Sequence, residues 1–304
     1  MKRLLWIVLV LAVAGTADAR NVQYVSFPSV DRDASGAPVM LRGALLLPAT
    51  RPPPGGYPAV VALHGCGGMY SAQAGHRSEL AERMALRADL FLAAGYAVLF
   101  PDSFGARGRR EVCTVKVGER TIRAPHRKLD ALGALAYLAT RRDIARGRVA
   151  LVGWSHGGST VLQTINVQDP EVAAFIGRPG APPFYRAAIA FYPGCRMPLQ
   201  LQASDRWRPG PPTRVHIGEL DDWTPPQPCV ELGAVEAARE DDFKVHTYAD
   251  SYHAFDSPNG KVILRTDVPN GVHPGEGVHV GPNPEARKLA NARVHVFLQQ
   301  HLGP

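Results

Sequence analysis

The chain has 304 residues, of which 45% are hydrophobic and 20% charged. This composition excludes a collagen, a coiled coil and a disordered tail, and the length allows one large domain or two small ones. The formal net charge of +7 raises the question of an acidic partner, and the 30 Gly and 27 Pro point to many tight turns and long ordered loops.

The first nineteen residues stand apart. Lys2 and Arg3 precede an apolar run over 4–14, and Ala17-Asp18-Ala19 supplies an A-x-A cleavage signal. That is the pattern of a secretory signal peptide. The run is short of the roughly 20 apolar residues that a membrane-spanning helix needs, which disfavours an uncleaved anchor. No Cys near the cleavage site offers a lipid attachment point, and no later apolar run reaches spanning length. The expectation is a cleaved leader over 1–19, a single domain over 20–304, a periplasmic or secreted location and no transmembrane segment after cleavage. Loss of the leader removes two cations and one carboxylate, leaving +6. The densest basic stretch, Arg107, Arg109 and Arg110, lacks the aromatic and glycine pattern of an RNA-binding module. It reads as solvated surface, and no nucleic-acid partner is expected.

In chain order, 22–27 and 40–47 read as strands, 51–56 as a Pro/Gly turn, and 59–63 as a short apolar strand buried on both faces. A Gly-rich loop follows over 64–68, then a helical period over 77–94 that stops at Gly95. Further strands are predicted at 96–100, 148–152, 187–191, 213–217 and 243–248. Helices are predicted at 126–140, 157–166, 228–240 and 284–301. Strands alternating with helices describe an α/β fold with a mostly parallel central sheet and helices on both faces. Two Pro- and Gly-rich stretches, 167–185 and 257–283, lack periodicity and read as long loops; the first is a lid or an irregular surface loop.

Gly153-Trp154-Ser155-His156-Gly157 matches G-x-S-x-G. The pattern alone is weak, but a strand runs into it and a helix leaves it, which is the setting of a nucleophile elbow. A Ser hydroxyl needs an adjacent base, and the base an orienting acid. Downstream, strand 213–217 ends in Gly218-Glu219-Leu220-Asp221-Asp222, and strand 243–248 leads to Asp250-Ser251-Tyr252-His253. Both candidates fall just past strand ends, on the rim where the elbow lies. Two backbone N–H groups are needed for the transition-state charge. That of His156 follows the nucleophile, and the loop His64-Gly65-Cys66-Gly67-Gly68 offers Cys66, with Gly67 next in line.

These segments together resemble the dienelactone hydrolase family of the α/β-hydrolase superfamily. HGCGG (64–68), PDSFG (101–105), GWSHGG (153–158), FYPGC (191–195), GELDDWTP (218–225) and YHAFD (252–256) occur in the family's order along nearly all of the mature chain. The resemblance implies an α/β-hydrolase fold and a triad of Ser155, His253 and Asp221, the acid lying three residues after Gly218; Asp222 is the alternative. Two departures bear on substrate. Family members that open dienelactones carry Cys in the elbow where this chain has Ser155, and an exported chain does not fit cytoplasmic dienelactone breakdown. The expected activity is therefore cleavage of carboxylic esters through an acyl-enzyme on a small-molecule substrate, with no metal or organic cofactor. A peptidase of the same superfamily and a catalytically silent binding protein are the rival readings.

Four Cys in an exported chain suggest disulfides, and no C-x-x-C pair points instead to zinc or redox chemistry. Cys66 lies in the oxyanion loop and Cys113 after the neighbouring strand's loop. Cys195 and Cys229 flank the acid loop. The pairing expected on this placement is Cys66–Cys113 and Cys195–Cys229, each pinning a catalytic loop. Met69, Tyr70, Phe104, Trp154 and Trp223 are the candidate pocket residues. Oligomeric state and the acyl and alcohol groups stay open.

Overall fold

The computed structural model describes residues 22–303; the leader read over 1–19 lies outside them. Eight strands form one sheet: β1 (Val22–Arg32), β2 (Pro38–Leu46), β3 (Tyr57–Leu63), β4 (Ala97–Asp102), β5 (Ile144–Trp154), β6 (Ala187–Phe191), β7 (Thr213–Gly218) and β8 (Phe243–Tyr248). Their spatial order is β1-β2-β4-β3-β5-β6-β7-β8. β1, β2 and β4 pair antiparallel, and every pairing from β4 and β3 through to β8 is parallel. The central strands are buried throughout: every residue of β3, β4 and β6 is out of solvent. That is why they read as continuous apolar runs rather than alternating ones.

Seven helices cover the sheet: α1 (Glu82–Ala93), α2 (Ala124–Leu138), α3 (His156–Thr164), α4 (Pro170–Gly177), α5 (Arg196–Gln202), α6 (Gln227–Ala238) and α7 (Pro284–Leu302). Among the described residues, no helix is long and apolar enough to cross a membrane. The order of strands places the carboxyl ends of β3, β5, β7 and β8 on one rim, and the loops that follow them carry the motif residues.

The structure corrects several boundaries. The helical period over 77–94 starts only at Glu82, because Leu80 bridges Tyr70 and the Ala81 N–H donates to Met69 O at 2.8 Å, holding 80–81 against the preceding loop. The stretch 167–185 is not an irregular loop along its length, for it contains α4. Asp169 caps that helix, its Oδ1 accepting from the N–H groups of Glu171 and Val172, with Pro170 at the first helical position. Val172 and Phe175 bury into the core, and Lys128 on α2 pairs with Asp169 and Glu171. The stretch 257–283 holds a small antiparallel ladder, β9 (Ile263–Arg265) with β10 (Val278–Val280).

Candidate active site

Ser155 sits between β5 and α3 with φ 54° and ψ −118°. Its N–H donates to Phe191 O at 2.9 Å, which ties the turn to β6. A non-glycine residue at this φ is strained and persists only where its surroundings hold it. The neighbouring glycines make the turn feasible. A Cβ on Gly157 would lie 2.1 Å from Leu63 O, and one on Gly153 would lie 2.3 Å from Gly157 O. No side chain fits in either gap.

The turn aims Ser155 Oγ at His253 Nε2, 2.9 Å away. On the other side of the ring, His253 Nδ1 is 2.8 Å from Asp221 Oδ2. Asp221 and His253 are both buried, at 3% and 2% exposure, so the bond between them is shielded from bulk water, while Ser155 is half-buried at the cavity. Asp221 Oδ1 accepts from the N–H groups of Trp223 (2.9 Å) and Thr224 (2.8 Å), and the Thr224 hydroxyl lies 3.0 Å from both Asp221 Oδ2 and Tyr192 O. The carboxylate is thereby fixed in one orientation. The alternative acid, Asp222, is engaged elsewhere: its carboxylate accepts from the His279 N–H at 2.9 Å and meets His279 Nδ1 at 2.7 Å, anchoring β10.

His253 is held from three sides. Its carbonyl accepts from Gly281 N–H at 3.0 Å, and the rings of Tyr192 and Trp223 lie 4.5 and 4.8 Å from its own. Tyr192 itself, at φ 37°, belongs to a buried polar cluster. Arg87 on α1 pairs with Asp256 at 2.8 Å, and the Tyr192 hydroxyl donates to Asp256 Oδ1 at 2.6 Å while accepting from Arg87 Nη2 at 2.7 Å. Asp256 lies three residues beyond His253, so this cluster fixes the histidine loop to α1. Breaking a buried ion pair from one side leaves an uncompensated charge, and Arg87→Met is expected to destabilise the fold by about 3–5 kcal/mol in denaturant unfolding. A loss below about 1 kcal/mol would show that the pair does not hold this loop.

Beside Ser155 the loop 64–68 abuts the elbow: a Cβ on Gly65 would lie 3.5 Å from Ser155 Cβ. His156 is the first residue of α3, so its N–H has no acceptor within the helix. The cysteines pair as Cys66–Cys113 and Cys195–Cys229. The first bond ties the loop beside Ser155 to 113, and Cys66 O also accepts from Val112 N–H at 2.8 Å. The second joins the start of α5 to α6 behind the Asp221 loop.

Ser155 and His253 open into a cavity of about 490 Å³. Trp154, Trp223, Cys66 and Gly67 line it, as do residues 257–265 and 280–282 in part. Three expected pocket residues do not. Met69 is fully buried in the main core, Phe104 is buried against His64, and Tyr70 faces a different groove beside Asp102. The glycines of the 64–68 loop turn the chain inward after Gly68, which carries 69–70 away from Ser155. The wall comes instead from 257–282, a stretch without periodicity in the sequence. Four cations line the cavity: Arg87 is paired with Asp256 and Arg265 with Asp267, while Arg83 and Lys261 stand outside those pairs. Among the described residues, no group of three or more His, Cys, Asp or Glu is gathered to hold a metal ion.

Residues 42–302 match the model of the dienelactone hydrolase family. The chain belongs to that family. Membership makes it a hydrolase acting on ester bonds. No curated protein matches the chain. Its fold recurs in solved structures at low identity. A dienelactone hydrolase-like promiscuous phosphotriesterase, P91, from metagenomic libraries is 17% identical, with 92% of this chain and 98% of that one covered and a TM-score of 0.60. The propionate-bound esterase Est2 of Thermogutta terrifontis is 14% identical, with coverage of 94% and 95% and a TM-score of 0.58. Dipeptidyl peptidase 4 of Porphyromonas gingivalis is 15% identical over 93% of this chain and 36% of its own, with a TM-score of 0.56.

Proposed function

We propose that the protein is an exported serine esterase that cleaves carboxylic esters through an acyl-enzyme on Ser155. The observation that carries this reading is the continuous relay from Ser155 Oγ through His253 to Asp221, at 2.9 and 2.8 Å. In the resting state the Ser155 hydroxyl donates to His253 Nε2, and the Nδ1–H donates to Asp221. Oγ attacks the ester carbonyl, and its proton passes to Nε2. Asp221 stays ionised and stabilises the imidazolium. The oxyanion is received by the backbone N–H groups of His156 and Cys66. As the tetrahedral intermediate collapses, the C–O bond to the alcohol breaks and Nε2–H protonates the leaving oxygen. Water then attacks the acyl-enzyme, with His253 as base, and releases the acid.

Arg83 and Lys261, the lining cations outside the Arg87–Asp256 and Arg265–Asp267 pairs, favour small esters that carry a negative charge. Export to the periplasm or beyond is supported by the leader pattern and by two disulfides, which persist in oxidising compartments. Residues 20–304 would then form one catalytic domain. The test is a panel of acyl esters, neutral and anionic, run beside aminoacyl amides of matched size. Hydrolysis confined to esters is expected, with higher kcat/KM for the anionic members. Turnover of the amides at comparable kcat/KM would replace the esterase reading with a peptidase one.

A further inference from the structure

We propose that Arg127 is a positioning residue for the oxyanion site, its buried guanidinium joining the two backbone segments that supply the donors and setting a positive charge behind them. The inference rests on the esterase reading of Ser155. Arg127 projects from α2 and is wholly buried. Its Nη2 donates to His64 O at 2.7 Å, at the head of the loop that carries Cys66. Its Nη1 donates to His156 Nδ1 at 2.7 Å, on the residue that follows the nucleophile. The acceptor role of Nδ1 keeps His156 neutral, in keeping with a pKa pushed well down by burial and by the Arg127 charge. One cation thus fixes the His64–Gly65 peptide and the first residue of α3 relative to each other.

No direct ion pair holds this group. Among the described residues no carboxylate lies within ion-pair distance of Arg127. The nearby Asp130 is held by Arg107 (2.9 Å) and Ser29 (2.7 Å), and Asp102 by the N–H groups of Phe104 (3.0 Å) and Gly105 (2.9 Å). The Nε of Arg127 is buried without a partner. The guanidinium lies 5.1 Å from the Phe104 ring centroid, a cation–π contact that offsets a small part of its desolvation. Burial draws its pKa down to about 9, which still leaves it charged at neutral pH. A buried cation whose carboxylates, Asp130 and Asp102, act only from beyond contact distance is costly to desolvate. An alkoxide forming at the His156 and Cys66 N–H groups would bring a further negative charge to the donors that Arg127 backs. Preorganised positive charge acts on that state more strongly than on the neutral ester.

The test compares Arg127→Met and Arg127→Lys with the parent enzyme. Four quantities are read: kcat, KM, the affinity of an alkyl boronic acid (which binds Ser as a tetrahedral anion), and Tm. Arg127→Met is expected to lower kcat about 10- to 100-fold, less than the loss of a direct donor. The boronic acid should weaken by a similar factor, with KM within about twofold. Any fall in Tm should be only that of the two acceptors left unpaired, His64 O and His156 Nδ1, and Arg127→Lys should recover part of the lost kcat. Should Arg127→Met not fold, Arg127→Gln carries the same comparison. The proposal is overturned if kcat and boronate affinity stay within about threefold of the parent. It is equally overturned if kcat falls only in step with Tm while boronate affinity holds. Either result leaves the esterase reading intact, because that reading depends on whether Ser155 itself is acylated.

Discussion

Replacing Ser155 with Ala is expected to lower kcat by about 10⁴- to 10⁶-fold while KM and Tm stay near the parent values. The side chain makes one polar contact, to His253 Nε2, and no side-chain hydrogen bond caps α3. The turn is held by backbone instead, through the Ser155 N–H to Phe191 O and the Ser159 N–H to Ser155 O at 2.8 Å. Ala at φ 54° carries the same strain as Ser, so the elbow should survive the change. What disappears is the hydroxyl that meets His253 Nε2. The residual rate would come from the oxyanion donors and from binding alone. Steady-state kinetics with a chromogenic ester and a thermal melt of the same sample check both halves. A variant that retains more than about a tenth of parental kcat would remove Ser155 from the chemistry.

The second large effect falls on the acid, and it separates two adjacent aspartates. Asp221→Asn is expected to cost about 10⁴-fold in kcat. The two backbone N–H groups of Trp223 and Thr224 hold Oδ1, so the amide oxygen of Asn would take that place. Its NH₂ would then face His253 Nδ1 and donate to it. The ring would shift its proton to Nε2, and Nε2 could no longer accept the Ser155 proton. Asp222→Asn should leave kcat within about threefold, since that side chain serves His279 on β10 and not the catalytic ring. Equal losses in the two variants would mean that the carboxylates share the role. A loss confined to Asp222→Asn would reverse the assignment.

The parts of this site that were legible in the sequence are those fixed by local backbone demands. G-x-S-x-G between a strand and a helix requires its glycines for steric reasons that operate within a few residues, as the 2.1 Å approach of a Gly157 Cβ to Leu63 O illustrates. The strand-end placement of Asp221 and His253 follows from sheet topology, which apolar runs such as β3 and β6 announce. The parallel order itself was readable because fully buried strands cannot alternate.

What escaped the reading depends on contacts between distant segments. Thr224 and Tyr192 lie inside the motifs GELDDWTP and FYPGC, yet nothing local says that a hydroxyl at 224 will bridge Asp221 and the carbonyl of 192. Arg87 meets Asp256 across 169 positions, and Arg127 meets His156 across 29. The cavity wall from 257–282 holds only the three-residue strands β9 and β10 and is otherwise tied by backbone bonds to Asp222 and His253, so it carries no period long enough to read. Helix α4 was missed although its signal was present: Asp169-Pro170 is an N-cap followed by Pro at the first helical position. Met69 and Tyr70 follow the oxyanion loop directly, and the turn at Gly68, with φ 76°, carries them elsewhere; Phe104, from the separate PDSFG segment, packs against His64 instead.

Reaction with a fluorophosphonate tests directly whether Ser155 is the nucleophile. The folded, disulfide-intact protein is incubated with the probe, its intact mass is recorded, and the adduct is located by peptide mapping. One phosphonyl group per chain is expected, on Ser155, with no adduct on Ser155→Ala. An unlabelled parent of normal Tm, or an adduct on any other residue, would contradict it.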